Sequence, residues 1–213
     1  MHKSIILIFV AGLLLTTCQP KERHLLIETE LGNMEVLLYN STPKHRDNMI
    51  KLVEEGYYDG LLFHRIIKDF MIQGGDPDSR NASPQQMLGQ GGPGYQIDAE
   101  IGALHFKGAL SAARMADQVN PQRKSSGSQF FIVQGYKVQD QELDRWESEK
   151  GIKYTPEQRK LYREVGGYPF LDNDYTVFGE VVEGLEVIDK IATVQVGQAD
   201  RPVKDLTMKI SLL

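Results

Sequence analysis

Cysteine is almost absent from this 213-residue chain: Cys18 stands alone, and Trp146 is the only tryptophan. One thiol excludes a disulfide framework and any cysteine-rich zinc site. The five histidines, His2, His24, His45, His64 and His105, form no pair at metal-ligand spacing, so neither metal nor cofactor is expected. Positive charge is scarce too, with 24 Lys and Arg against 29 Asp and Glu, a formal net charge of −5. Nucleic acid is not an expected partner, because neutralising phosphates takes a basic face. The usual catalytic constellations are also missing. Ser126-Gly127-Ser128 is not a Gly-x-Ser-x-Gly elbow. Gly89-Gln90-Gly91-Gly92-Pro93-Gly94 lacks the Lys-Ser or Lys-Thr of a phosphate loop and reads as a tight surface turn. Asp98 and Glu100 are read as same-face neighbours on a strand, not as an acid–base pair.

What is present begins with residues 1–17, MHKSIILIFVAGLLLTT. Lys3 supplies a positive start, and the apolar run from Ile5 to Leu15 is broken only by Gly12. That run falls well short of the ~20 residues of a membrane span and fits a secretory signal peptide. Leu15-Thr16-Thr17-Cys18 resembles a bacterial lipoprotein cleavage site, although Thr17 departs from the usual Gly, Ala or Ser. The resemblance implies lipidation of Cys18 and a place in the bacterial cell envelope, facing the periplasm or the exterior. Acyl chains contributing ~0.8 kcal/mol per buried methylene would hold the protein there, with no other membrane contact. Residues 18–23 then form a short tether, and 24–213 form one domain.

From residue 24 the periodicity is mostly that of strands. Residues 25–29 and 34–38 flank a Glu-Leu-Gly-Asn turn, a hairpin pattern. Thr42-Pro43 predicts a helix start, with Thr as N-cap and Pro where a missing N–H costs nothing. Met49, Leu52 and Val53 share its inner face, and Gly56 ends it. Strand-like runs follow at 61–67, 70–73, 108–113, 130–134, 175–182 and 207–213, with a second helix over 185–193. Many strands with isolated helices imply a barrel or sandwich with helical plugs. The stretch about 136–168 departs from this, with helix-like segments at 139–150 and 156–165. The second opens on the capping box Thr155-Pro156-Glu157-Gln158. Leu143, Trp146, Leu161, Tyr162 and Val165 are expected to form a small apolar seam, within this hairpin or against the barrel. Carrying its own caps, the insertion is expected to be dispensable to the barrel.

Three segments carry the chemistry. The first is Phe63-His64-Arg65-Ile66-Ile67-Lys68-Asp69-Phe70-Met71-Ile72-Gln73-Gly74-Gly75-Asp76. An arginine among apolar strand formers is costly to bury unpaired, so Arg65 either faces a polar mouth or makes a structural salt bridge. Ser126-Gly127-Ser128-Gln129-Phe130-Phe131-Ile132 sets an amide beside paired aromatics, and Phe170-Leu171-Asp172 precedes Tyr175-Thr176-Val177-Phe178-Gly179. In this order the segments closely resemble the cyclophilin family of peptidyl-prolyl cis–trans isomerases, and Gly108-Ala109-Leu110-Ser111-Ala112-Ala113 adds to the match. The resemblance runs from about residue 25 to the C-terminus, apart from the helical insertion. It implies a mainly β fold: an eight-stranded antiparallel barrel capped by two α-helices, here with an added helical hairpin.

It also implies roles. The family's catalytic arginine falls on Arg65, a lone cation at an apolar pocket. The proline-side pocket falls on Phe70, Met71, Phe131 and Leu171, and polar substrate contacts on Gln73 and Gln129. Ala113 and Arg114 fall where the family offers backbone to the bound peptide. Phe170 stands where many eukaryotic members have Trp, and Tyr175 where they have His, changes that bear on cyclosporin sensitivity more than on catalysis. Met115 sits beside a secondary pocket. His64 alternates to the other strand face and reads as structural. The expected partners are proline-containing segments of unfolded or flexible clients, met by a monomer without a covalent intermediate. The alternative is a cyclophilin-fold chaperone or binding module whose turnover is incidental.

Overall fold

The computed structural model describes residues 21–213; the segment expected to be a signal peptide and Cys18 lie outside the described residues. Alternation decides the first hairpin. In β1 (Arg23–Thr29) Leu25 and Ile27 are buried, and in β2 (Gly32–Leu38) Met34, Val36 and Leu38 are. Leu25 faces Val36 and Ile27 faces Met34, so one register turns these side chains inward together and leaves Leu26 and Leu37 on the other, partly exposed face.

The remaining strands are β3 (Arg65–Ile67), β4 (Met71–Gly74), β5 (Gln96–Ile97), β6 (Ala109–Ala112), β7 (Ser125–Ser126), β8 (Phe130–Val133), β9 (Val177–Glu183) and β10 (Lys209–Leu212). Eight form one antiparallel sheet in the order β10-β1-β2-β9-β6-β8-β4-β3. Its two edges meet just ahead of β3 and β10. Phe63 N donates to Leu206 O at 2.9 Å and Met208 N to Leu61 O at 2.8 Å, closing the barrel. The run expected at 61–67 is therefore split, with Leu62 in an isolated bridge to Thr207 and only Arg65–Ile67 in a strand. β5 and β7 pair apart from the barrel, and two residues are too few to show alternation in sequence.

Helix α1 (Pro43–Glu54) seats Met49, Leu52 and Val53 on the main core, and α4 (Leu185–Ala192) adds Val187, Ile188, Ile191 and Ala192. The N-cap of α1 differs from expectation. Thr42 Oγ1 donates to Tyr39 O at 3.3 Å, and the Glu100 carboxylate accepts from Lys44 N at 3.1 Å and His45 N at 3.0 Å. Glu100 thus caps a helix end from outside any strand, and is not the strand neighbour of Asp98.

The insertion folds into α2 (Asp140–Lys150) and α3 (Pro156–Glu164), the second with the expected reciprocal capping box. Reciprocal bonds between Tyr136 and Gly167, 3.1 and 3.0 Å, pin its ends together. Leu143, Trp146 and Tyr162 join Val138, Tyr154, Leu104, Phe106 and Ile152 in a separate cluster against the barrel. Leu161 and Val165 do not join it: they are 43% and 42% exposed. Leu161 lies about 100° round the helix from Tyr162, and Val165 follows the last turn.

Candidate active site

The β3–β4 hairpin builds the site. Ile66 faces Ile72 and both enter the main core, so Arg65 and Gln73, paired with each other, must point to the barrel's outer face. The same alternation separates two adjacent phenylalanines on β8. Phe130 packs into the main core, whereas Phe131 joins Met71, Leu171, Val177, Val133 and Ala109 in an outer cluster. Gln73 pairs with Phe131, and Phe131 with Ser111, so Arg65, Gln73, Phe131 and Ser111 form one row across four strands. Gly75 follows directly with φ +87°, where a Cβ would sit 2.2 Å from Ser128 O; only glycine lets β4 approach that loop.

The expected pocket residues are brought together. Phe70 packs against the outer cluster and meets the Tyr168 ring at 4.4 Å. Leu171, buried, ends a short 3-10 turn begun by Pro169. Tyr175 stands edge-on to Phe131 at 5.8 Å, with the Arg114 guanidinium 4.5 Å from its ring centre. Phe170 is on the rim, 51% exposed, with the Trp146 ring 5.3 Å away.

The polar side is a linked chain. Gln73 Nε2 donates to Gln129 Oε1 at 3.1 Å, and Gln129 Nε2 donates to Gly91 O at 2.7 Å. Gly91 comes from the glycine-rich run, which is therefore a wall of the site and not only a surface turn. Buried Asp76 holds it, accepting from Gly89 N, and a Cβ on Gly91 would come 2.2 Å from Asp76 Oδ1. This wall, with Gln73, Ala113, Arg114, Met115 and Gln129, bounds an open groove of about 900 Å³. The Ala113 backbone is engaged within the domain, its N–H donating to Gln129 O at 3.0 Å and its carbonyl accepting from Ser126 N at 2.7 Å, which leaves that carbonyl a second lone pair.

Arg65 is half-exposed and not alone. Its Nε lies 3.4 Å from Asp200 Oδ2, so the mouth and the salt bridge coexist. Ala199 and Asp200 sit at a hairpin tip with φ +56° and +59°, a conformation non-glycine residues adopt at a cost. On that side of Arg65 a second cavity, about 400 Å³, is lined by His64, Gln73, Gln90, Asp200 and Arg201. Burial pushes the His64 imidazole down to about 4, so it is neutral at pH 7, as a structural side chain would be. Its ring nevertheless borders the same cavity as Arg65, rather than a separate face.

One cluster went unread in the sequence. Asp172 is fully buried and its carboxylate is saturated. Oδ2 accepts from Tyr154 Oη at 2.8 Å and Tyr162 Oη at 2.6 Å, and Oδ1 from His105 N at 2.8 Å, with His105 Nδ1 2.9 Å away. Burial and the Asp172 charge together push the Tyr162 hydroxyl far above its ordinary range. The only advance signal was Asp172 following Phe170-Leu171.

A closed antiparallel barrel with an arginine and two glutamines edging an outer apolar cluster defines the cyclophilin class. The sequence matches the family described as cyclophilin type peptidyl-prolyl cis-trans isomerase/CLD over residues 24–211. A Staphylococcus saprophyticus protein, provisionally named a peptidyl-prolyl cis-trans isomerase, is 36% identical over 91% of this chain and 92% of its own. A cyclophilin type peptidyl-prolyl cis-trans isomerase of Cryptosporidium parvum superposes with a TM-score of 0.67 at 25% identity, covering 91% of this chain and 98% of that one. The same protein crystallised in the presence of the dipeptide Ala-Pro gives 0.65 at 25% identity, over 89% and 98%. The chain belongs to this family and is a peptidyl-prolyl cis-trans isomerase.

Proposed function

We propose that Arg65 performs the isomerisation, with the proline ring seated on Phe70, Met71, Phe131 and Leu171. The single observation that carries this is the row Arg65–Gln73–Phe131, which sets a cation and an amide at the edge of the outer apolar cluster. Rotation about a peptide bond meets a barrier of ~18–20 kcal/mol, and X–Pro bonds exchange over tens to hundreds of seconds. No bond has to break. A site that binds the twisted amide better than either planar form is sufficient. The apolar cluster holds the ring while the preceding residue turns in the groove beside Gln129, Arg114 and Met115. Loss of conjugation localises a lone pair on the prolyl nitrogen. Arg65, its Nε oriented by Asp200, presents its terminal nitrogens to that nitrogen and to the prolyl carbonyl. Shortening ~100 s to ~10 ms takes a factor of about 10⁴, or ~5.5 kcal/mol, of which an aimed charged donor supplies ~3 kcal/mol.

Accordingly, Arg65→Ala is expected to lower kcat by ~100-fold with the circular dichroism spectrum unchanged. Full turnover in that variant would remove Arg65 from the mechanism. The clients in this reading are unfolded or flexible proline-containing polypeptides, met at the cell envelope by a monomer anchored through lipid on Cys18. The lipoprotein-like Leu15-Thr16-Thr17-Cys18 run supports the anchor. Cys18→Ser should release the protein from membranes with its activity intact, and continued sedimentation with membranes would refute the anchor.

A further inference from the structure

The face of α2 that carries Leu143, Trp146 and Lys150 at helical spacing looks onto the rim of the site. Lys150 ends the helix, and Gly151 at φ +65° turns the chain away, leaving the ammonium over the rim. An ammonium has three N–H donors, and Lys150 meets three acceptors on the rim. They are Phe170 O, Asp172 O at 2.9 Å and the Asp174 carboxylate. The Trp146 and Phe170 rings flank the same ammonium, with centres 5.8 and 5.3 Å away. The barrel side holds the rim as well: His105 N donates to Asp172 Oδ1 at 2.8 Å, Arg114 Nε to Asp174 O at 2.9 Å and Arg123 Nη1 to Asp174 Oδ1 at 2.6 Å, but none of these reaches the Phe170 or Asp172 carbonyl that Lys150 binds. The held segment contains Leu171, a member of the outer cluster with Met71 and Phe131, and leads directly into Tyr175, which packs against that cluster edge-on to Phe131.

We propose that Lys150, in the helical insertion, is a positioning residue for the proline pocket, fixing the 170–174 rim so that Leu171 and Tyr175 hold their place around Phe131. This rests on the reading that the outer cluster takes the proline ring. The rim meets a ring that does not itself rotate, so it contributes equally to the planar and twisted amides. Such uniform binding appears in KM and not in kcat. Arg65 acts on the twisted form and appears in kcat. The insertion and the catalytic cation therefore leave opposite kinetic signatures.

The test compares the full chain with Lys150→Met, Lys150→Arg and Phe131→Leu, reading kcat and KM on an X–Pro peptide together with amide hydrogen exchange at residues 171–174. Lys150→Met should raise KM about 5-fold, keep kcat within about 2-fold and speed exchange at Leu171, Asp172 and Asp174. Lys150→Arg, whose fork also reaches carbonyls and a carboxylate, should restore KM. Phe131→Leu alters the pocket without touching the insertion and should also raise KM. A rise with Phe131→Leu but none with Lys150→Met overturns the role of Lys150. A fall in kcat at constant KM in Lys150→Met overturns it as well. No rise in either variant overturns the pocket reading itself.

Discussion

Removing one oxygen from Tyr162 tests how firmly the insertion is built into the domain. Tyr162 is fully buried, its ring 4.5 Å from that of Phe106 and 5.5 Å from that of Tyr154, so Tyr162→Phe keeps the packing and opens no cavity. What disappears is a 2.6 Å hydrogen bond to the buried Asp172 carboxylate. Hydrogen bonds to charged groups contribute ~1.5–3 kcal/mol. Tyr154 and His105 still serve Asp172 afterwards, so the expected loss is about 2 kcal/mol, toward the lower part of that range. At roughly 2–4 °C per kcal/mol for a domain of this size, Tm should fall by about 4–8 °C. Urea unfolding at 25 °C gives the independent value. Tyr154→Phe removes the other donor to the same oxygen, and the double variant should lose more than the sum of the two by ~1 kcal/mol, since Oδ2 is then bare. A Tm within 1 °C of wild type for Tyr162→Phe would refute the reasoning. If it holds, deleting 136–168 strips both hydroxyls and Lys150 from the rim. The barrel should then fail to fold, against the expectation of an expendable insertion.

Two further outcomes follow from the same geometry. His64 titrates at about 4 in the folded state, lowered mainly by burial, against 6.5 when unfolded. The unfolded chain therefore takes the proton first, and stability present above 6.5 is lost as pH falls toward 4. Burial lowers His45 and His105 too, adding in the same direction. Between pH 6.5 and 5 His64→Gln should flatten the loss by roughly 2 kcal/mol in urea titrations, and equal losses in both proteins would count against a neutral buried His64. Phe170→Trp should tighten cyclosporin binding by roughly 5- to 150-fold, since phenylalanine offers no N–H to a drug carbonyl. If binding does not tighten when measured calorimetrically, Trp146 or Arg114 beside the rim is blocking the drug instead.

Much of the barrel was legible because alternation is a local property. The runs 25–29 and 34–38 announce a hairpin by composition and turn alone, and Met49, Leu52 and Val53 announce the inner face of their helix by spacing. The capping box at Thr155 was legible for the same reason, its partners being three residues apart. What could not be read depends on loops meeting across the chain. Glu100 caps α1 from more than fifty residues away, Asp200 reaches Arg65 from β3's far side of the sequence, and the donors to Asp172 come from three segments. None of these contacts has a period. The Gly89–Gly94 run is a surface loop whose part as a groove wall was not legible, because that part comes from Asp76 and Gln129 and not from its own composition.

The central claim is that the Arg65–Gln73–Phe131 row turns X–Pro bonds, and magnetisation exchange between the cis and trans forms of an Ala-Pro peptide measures this directly. With catalytic amounts of the wild-type protein, exchange should move from the scale of tens of seconds to ~10 ms on the bound peptide, and Arg65→Ala should slow it ~100-fold, to ~1 s. Peptide that binds, with shifted resonances at the Phe131 and Leu171 methyl and ring signals, yet exchanges no faster than in buffer would contradict the account.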